Sequence, residues 1–262
     1  MAPTVARWQP ASVSEADEVK VIVYTSLIGN IDRLWSVMPG SADVQHVAFV
    51  DGPKREVGLW GKSPPTILPN TGGAKAHPTW NQQIVKPEWD DRRTARHYKA
   101  LPHRYLPDAD VWIWIDANVR LRMHPLSLIK RYLKDNDLMA FRHWERKCLY
   151  TEAEVCAKYK KDKRAILEAQ TTRYEQAGMP RGWGLAATRV VIRRNTPAVR
   201  ELNESWWTEI EHGSLRDQVS FPYVCWKHKM RWGVLPGRCC PRNTGKEYLC
   251  ILHTRRGRKK KR

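Results

Sequence analysis

Asp116 and Asn118 stand one alanine apart at the end of the run DADVWIWIDANVRLR, residues 108–122. A carboxylate and an amide oxygen are hard donors, suited to Mn2+ or Mg2+ rather than to zinc. In the turn after a buried strand, residues two apart can face the same side, where a metal held between them could meet a nucleoside diphosphate. The same spacing also serves an Asx turn that satisfies only backbone groups. Arg93, Arg96 and Lys99 recur at three-residue intervals, which groups them on one helix face. Arg offers bidentate recognition of a pyrophosphate and Lys a point charge; the other reading is a solvated stripe paired with Asp90 and Asp91. Arg216, Asp217 and Gln218 share one helical turn. An Asp beside an Arg stays ionised, so Asp217 could bind sugar hydroxyls, act as a general base if desolvated, or form a structural ion pair. FRHWERKCLYTEA, residues 141–153, adds His143, Arg146, Tyr150 and Glu152.

Short apolar strands alternating with helices must position these groups. Residues 19–25 and 44–51 read as buried strands, the second ending at Asp51, and residues 26–35 as a Gly-Asn turn opening into a helix. Residues 61–90, rich in Pro, Gly and Asn, read as a long surface loop. Helices are predicted over 90–107, 124–135, 151–178, 196–213 and 214–228, and strands over 111–115, 137–143 and 183–194. This alternation predicts an α/β fold around a mainly parallel sheet. Ligands then sit beyond the carboxyl ends of the strands, which places Asp51, Asp116, Asn118 and His143 at one rim.

Bulk composition narrows the function classes. A hydrophobic content of 42% excludes a disordered chain, and no apolar run reaches the length of about 18 residues that a membrane span needs. The N-terminal stretch has no apolar signal-peptide centre, so a cytoplasmic protein is expected. The six cysteines then read as reduced thiols. Cys239, Cys240, Cys250 and His253 are poorly spaced for a tetrahedral zinc. The net charge of +19, seven units of it in the tail 255–262, favours polyanions: nucleic acid, an anionic membrane surface or phosphate-bearing small molecules. Thirteen tryptophans are many for this length. Most fall on elements and read as core, while Trp60, Trp80, Trp89 and Trp183 lie in or beside loops, open to a ligand.

Taken in order, VIVYTSLIGNIDRL, FVDGP, RRTARHYKALPHRYLPDADVWIWIDANV, FRHWERKCLYTEA, QTTRYEQAGMPRGWGLA and WWTEIEHGSLRDQVSFPYV resemble the glycosyltransferase-like family once catalogued as a domain of unknown function. Its plant members include turgor-regulation and mucilage-related proteins. The resemblance runs over about residues 20–229 and implies a type-A glycosyltransferase fold, Rossmann-like, with a nucleoside-diphosphate sugar donor, a divalent metal (Mn2+ or Mg2+) and a glycan, lipid or other hydroxyl acceptor. By position it implies that Asp51 holds the nucleotide, Asp116 and Asn118 form the D-x-D-like metal element, and Arg96 and Lys99 face phosphates. His143, Arg146, Gln170, Tyr174, Arg216, Asp217 and Gln218 would line the donor and acceptor pocket, with Asp217 as the base if the reaction inverts configuration. Asn118 stands where that pattern carries a second Asp.

The expected organisation is therefore a leader over 1–18, a glycosyltransferase-like domain over 19–235, and a basic Cys-containing tail over 236–262. A basic nucleic-acid-binding protein and an inactive carbohydrate-binding relative are the alternatives.

Overall fold

The computed structural model describes residues 19–29, 34–53, 57–58, 79–239 and 250–252. Its centre is a seven-stranded sheet. β1 (Val21–Leu27), β3 (Gln45–Asp51), β5 (Asn81–Val85), β6 (Val111–Ile115), β8 (Leu138–Arg142) and β10 (Gly233–Leu235) share one direction, and β9 (Ala186–Arg194) runs against them between β6 and β8. The spatial order is β10-β8-β9-β6-β1-β3-β5. Two small pairs accompany it: β2 (Leu34–Trp35) with β4 (Val57–Gly58), and β7 (Val119–Leu121) with β11 (Cys250–Leu252).

Side-chain alternation along these strands sorts two cores onto opposite faces. Ile22, Tyr24, Phe49, Trp112, Trp114 and Val191 pack under α1 (Asp91–Ala100), α4 (Leu149–Lys158), α5 (Arg164–Gln176), α6 (Pro197–Glu211) and α7 (Asp217–Lys227). Val23, Val50, Ile113, Ile115 and Phe141 pack on the other face against Leu34, Val37, Trp80 and α3 (Pro125–Leu128), which widens into a π turn over Ile129–Leu133. The result is the expected α/β sandwich, mainly parallel and covered on both faces.

The structure corrects several expected elements. The helix expected over 90–107 is broken: α1 ends at Ala100 and a short α2 (Pro102–Tyr105) restarts it, because Pro102 has no N–H to continue the ladder and restricts Leu101 before it. The helix expected over 151–178 is two, α4 and α5. Between them Lys160 adopts a φ of 50°, and Asp162 turns inward to accept Ser214 Oγ (2.6 Å) and Leu215 N–H (2.8 Å); tertiary hydrogen bonds outweigh helix propensity there. Leu34–Trp35 are strand rather than helix, and the expected loop over 61–90 contains β5 at the sheet edge. Within the expected tail, Cys250–Leu252 returns to pair with β7. The leader 1–18, Trp60, Cys240, His253 and the basic run 255–262 lie outside the described residues. No helix among the described residues is long and apolar enough to cross a membrane.

His46 and His97 are both buried, and burial pushes each imidazole down from 6.5 to about 4. The unfolded chain therefore binds these protons at a higher pH than the folded one. Their stabilising contribution is complete above about 6.5 and is lost as pH falls toward 4. At its steepest each contributes a loss of about 1.4 kcal/mol per pH unit. Urea midpoints between pH 7 and 5 should fall accordingly, and His46→Gln should flatten that slope.

Candidate functional site

Trp112, Trp114 and Asp116 alternate on β6 and its continuation, so the carboxylate follows the two indoles onto the α1 side of the sheet. Trp114 Nε1 donates to Asp116 Oδ1 at 2.9 Å. The chain turns at once, Val119 N–H donating to Asp116 O (2.8 Å), while Asp116 N–H donates to Arg189 O (2.8 Å) on β9. Pairing between β8 and β9 shifts register between Ala140 and Phe141, and this irregular stretch lies opposite Thr188. Bulges of this kind re-aim side chains beside sites. Thr188 Oγ1 accordingly reaches Asp217 Oδ2 at 2.8 Å.

Lys99 joins the two carboxylates. It sits in the last turn of α1, 3% exposed, with Nζ 2.5 Å from Asp217 Oδ2 and 3.4 Å from Asp116 Oδ1. Its ammonium also lies 5.4 Å from the centre of the Trp114 ring. Two neighbours fix the backbone of this turn: Tyr24 OH donates to Lys99 O (2.9 Å), and the fully buried Arg193 donates to Lys99 O (2.5 Å) and Ala100 O (3.1 Å). Arg193 thus places a cation at the negative end of the helix dipole.

Asp217 opens α7 and is itself buried. Burial alone would raise its pKa. Lys99, Arg96 and Arg216 outweigh that and hold the carboxyl well below the usual carboxylate range. Arg96 Nε stands 3.9 Å from Asp217 Oδ1, and its side chain is 25% exposed, so it reaches toward solvent at the rim while Lys99 lies beneath. Arg216 is half-buried beside Cys156 and Glu152, and the charge of Asp217 raises its pKa against the lowering by burial. Asp116 differs from all of these: its side chain is 34% exposed.

Other residues singled out in the sequence take structural places. Arg93 turns away from the rim and caps α6, donating to Ile210 O, to Glu211 O (2.6 Å) and to Gly213 O (3.4 Å). This corrects the expected three-cation face; three-residue spacing drifts round a helix of 3.6 residues per turn. Gln170 and Tyr174 are buried between α5 and α6. Gln170 Nε2 donates to Tyr174 OH (2.7 Å) and Glu209 O (3.0 Å), and its Oε1 accepts Ser214 N–H (2.9 Å). Tyr174 OH donates to Glu209 Oε2 (2.7 Å), so the polar atoms of both are committed to protein partners. His143 is buried, with Nδ1 accepting the Glu145 and Arg146 N–H groups at 3.3 and 3.1 Å. Burial lowers its pKa, and it orders the loop that seats Arg146 on the buried Glu152. Gln218 Nε2 points to Ala186 O at 3.5 Å. Trp80 and Trp89 are packed: Trp80 Nε1 donates to Trp35 O (2.6 Å), and Trp89 lies tilted by 30° against His97, ring centres 4.6 Å apart.

Asp51 closes β3 at the same rim. It accepts Gly29 N–H at 2.9 Å. Gly29 holds a φ of 71°, and a Cβ there would come within 2.4 Å of Asp91 Oδ2, so the turn needs glycine. The structure thus brings Asp51, Asp116, Asn118 and His143 to the carboxyl ends of parallel strands, with Lys99 between Asp116 and Asp217, and Arg96 and Arg216 beside Asp217. Sequence reasoning missed Thr188, Trp114 as a hydrogen-bond donor, and Arg193. Only the i, i+2 relation of Trp114 to Asp116 was visible in the chain.

The donor set suits a divalent ion in part. Asn118 Oδ1 is buried and has no hydrogen-bond partner among the described residues, an unusual state for a buried acceptor, and it stands two residues from the accessible carboxylate. No group of three His, Cys, Asp or Glu side chains able to hold a metal occurs among the described residues. Two protein oxygens would need a ligand's own oxygens to complete the shell, as suits Mg2+ bound through substrate phosphates.

The model of the TOD1/MUCI70 glycosyltransferase-like domain matches residues 8–242. This chain belongs to that family. Over 164 residues it is 28% identical to the Arabidopsis thaliana protein named "Probable hexosyltransferase MUCI70", an alignment covering 58% of this chain and 28% of that protein. The TOD1/MUCI70 match takes in every site residue named above.

Proposed function

We propose that this TOD1/MUCI70 family member is a glycosyltransferase that moves a sugar from a nucleoside-diphosphate donor to a hydroxyl acceptor, with Mn2+ or Mg2+ held by Asp116 and Asn118. The observation that carries this is the pairing of an accessible carboxylate with an unpartnered buried amide oxygen at the strand-end rim. The name of the plant relative and the description of the family point the same way. A bound divalent ion would neutralise charge on the departing nucleoside diphosphate.

The chain's own residues have distinct parts in this reading. Arg96 meets a phosphate from the open side of α1. Lys99 lies beneath Asp116 and, with Trp114, fixes the direction of its carboxylate. Asp51 and the Gly29 turn sit where a nucleoside would approach. Asp217 is too buried and too strongly held by cations to take an acceptor's proton, so we assign it to positioning Lys99 and not to the base expected from the sequence. His143 is likewise a positioning residue, through Arg146 and Glu152.

Calorimetric titration of UDP and GDP, with and without Mn2+, tests the reading. We expect one nucleoside diphosphate to bind at one site and Mn2+ to tighten it at least tenfold. A folded protein that binds neither, in either condition, would refute it. A second reading has one observation in its favour: Arg92, Lys158, Lys160, Lys161, Lys163 and Arg164 surround an open depression at the α4–α5 turn. Polyanion contact there would weaken steeply with salt, whereas nucleotide binding at Asp116 would persist.

A further inference from the structure

Beyond β8, at the β10 edge of the sheet, lies a groove of about 330 Å3 that takes in Trp183 but none of the residues gathered around Asp116. It falls at the low end of small-ligand sites, about 300–1,000 Å3. Its walls are Trp183 and Trp232, meeting edge to face with ring centres 5.3 Å apart, and the cations Arg142, Lys147 and Arg231. Both indoles are half-buried and all three cations exposed. No carboxylate lines the groove, and none of the three cations forms an ion pair among the described residues. The Arg231 guanidinium lies 4.9 Å from the centre of the Trp183 ring, an arrangement that steadies both.

The groove is preformed and joined to the Asp116 site. Gly184 has a φ of 137°, and a Cβ there would meet Trp232 at 3.2 Å, so glycine lets the indole close over the backbone. Gly182 N–H donates to Cys148 Sγ at 3.4 Å. Leu185 O accepts His143 N–H at 2.9 Å, and three residues further Thr188 begins the stretch that touches Asp217 and Asp116. The wall formed by Arg142 and residues 182–185 therefore lies at the carboxyl end of β8, the end at which Asp116 follows β6, while Arg231 and Trp232 come from the chain entering β10.

We propose that this groove is the acceptor subsite and that it takes an acidic saccharide, a glycan bearing carboxylates. Aromatic faces bury the apolar faces of pyranose rings, and unpaired Arg and Lys side chains recognise the carboxylates. A neutral glycan would leave the three cations without a purpose, and a simple polyanion would leave the indoles without one. The inference rests on the transferase reading but concerns a different surface, so the two can fail separately.

The test is binding of tetramannuronate, β-1,4-mannotetraose and inorganic tetraphosphate to the full chain, with UDP titrated in parallel. Tetramannuronate should bind at least about tenfold more tightly than either comparison ligand, the difference expected of one or two charge-assisted contacts. Arg142→Gln and Arg231→Gln, both at exposed positions, should each weaken it about tenfold and leave UDP affinity unchanged. Trp183→Phe should keep part of the affinity that Trp183→Ala loses. Equal binding of the neutral tetrasaccharide, tighter binding of tetraphosphate, or indifference to both Gln variants would each overturn the proposal. Tetramannuronate binding without UDP binding would retain the groove and remove the donor reading instead.

Discussion

Lys99→Met should destabilise the fold by about 3–5 kcal/mol, the usual consequence of removing one partner from a buried ion pair. Lys99 and Asp217 have side chains only 3% and 5% exposed and meet at 2.5 Å. Without the ammonium, Asp217 keeps the Thr188 hydroxyl, Arg96 at 3.9 Å and the weaker influence of Arg216, too little for a desolvated carboxylate. Urea unfolding of wild type and variant measures the loss. The pH dependence gives a second signature. In the wild type the depressed Asp217 pKa provides stability that is complete above its unfolded value and lost as pH falls through the acid range. In Lys99→Met that acid loss should shrink, because the main cation holding the pKa down has gone. A variant within about 1 kcal/mol of wild type, as exposed pairs give, would show that water reaches this pair.

Asp116→Asn is the companion case, with the opposite distribution of effects. The amide keeps an oxygen for Trp114 Nε1, and the side chain is one-third exposed, so stability should change by no more than about 1 kcal/mol. Donor turnover, read as release of nucleoside diphosphate from a nucleotide sugar, should fall about a hundredfold or more. Affinity for Mn2+ in the presence of the nucleotide should fall with it. Unchanged turnover in a variant that folds normally would remove Asp116 from the chemistry, and an inactive wild type would favour a carbohydrate-binding relative.

Much of the architecture was legible because period-2 and period-3.6 patterns are strong where one face is buried. The runs at β1, β3, β6 and β8 mark both the strands and the rim where they end, and so put Asp51, Asp116 and His143 at strand ends, where the structure has them. Pattern failed where tertiary partners decide. Nothing local marks Asp162 as the side chain that breaks the α4–α5 stretch, since its partners Ser214 and Leu215 are distant in the chain. Arg93 and Arg96 look alike in sequence. Only the arrival of the α6 carboxyl end beside the first turn of α1 commits Arg93 to capping and leaves Arg96 near the rim. Arg193 looked like one more cation on a strand, yet it is wholly buried against the end of α1. Asp217 illustrates the same limit. An Arg-Asp pair reads equally as base or as structure, and burial, which decides it, is a property of the packed fold.

The most direct measurement is a crystal structure of the full chain with Mn2+ and a nucleoside diphosphate, using the anomalous signal of manganese. We expect one manganese peak within bonding distance of the Asp116 carboxylate and Asn118 Oδ1, bridged to the diphosphate, with Arg96 on a phosphate oxygen. A nucleotide seated elsewhere, or manganese that avoids Asp116 while the diphosphate is bound, would contradict it.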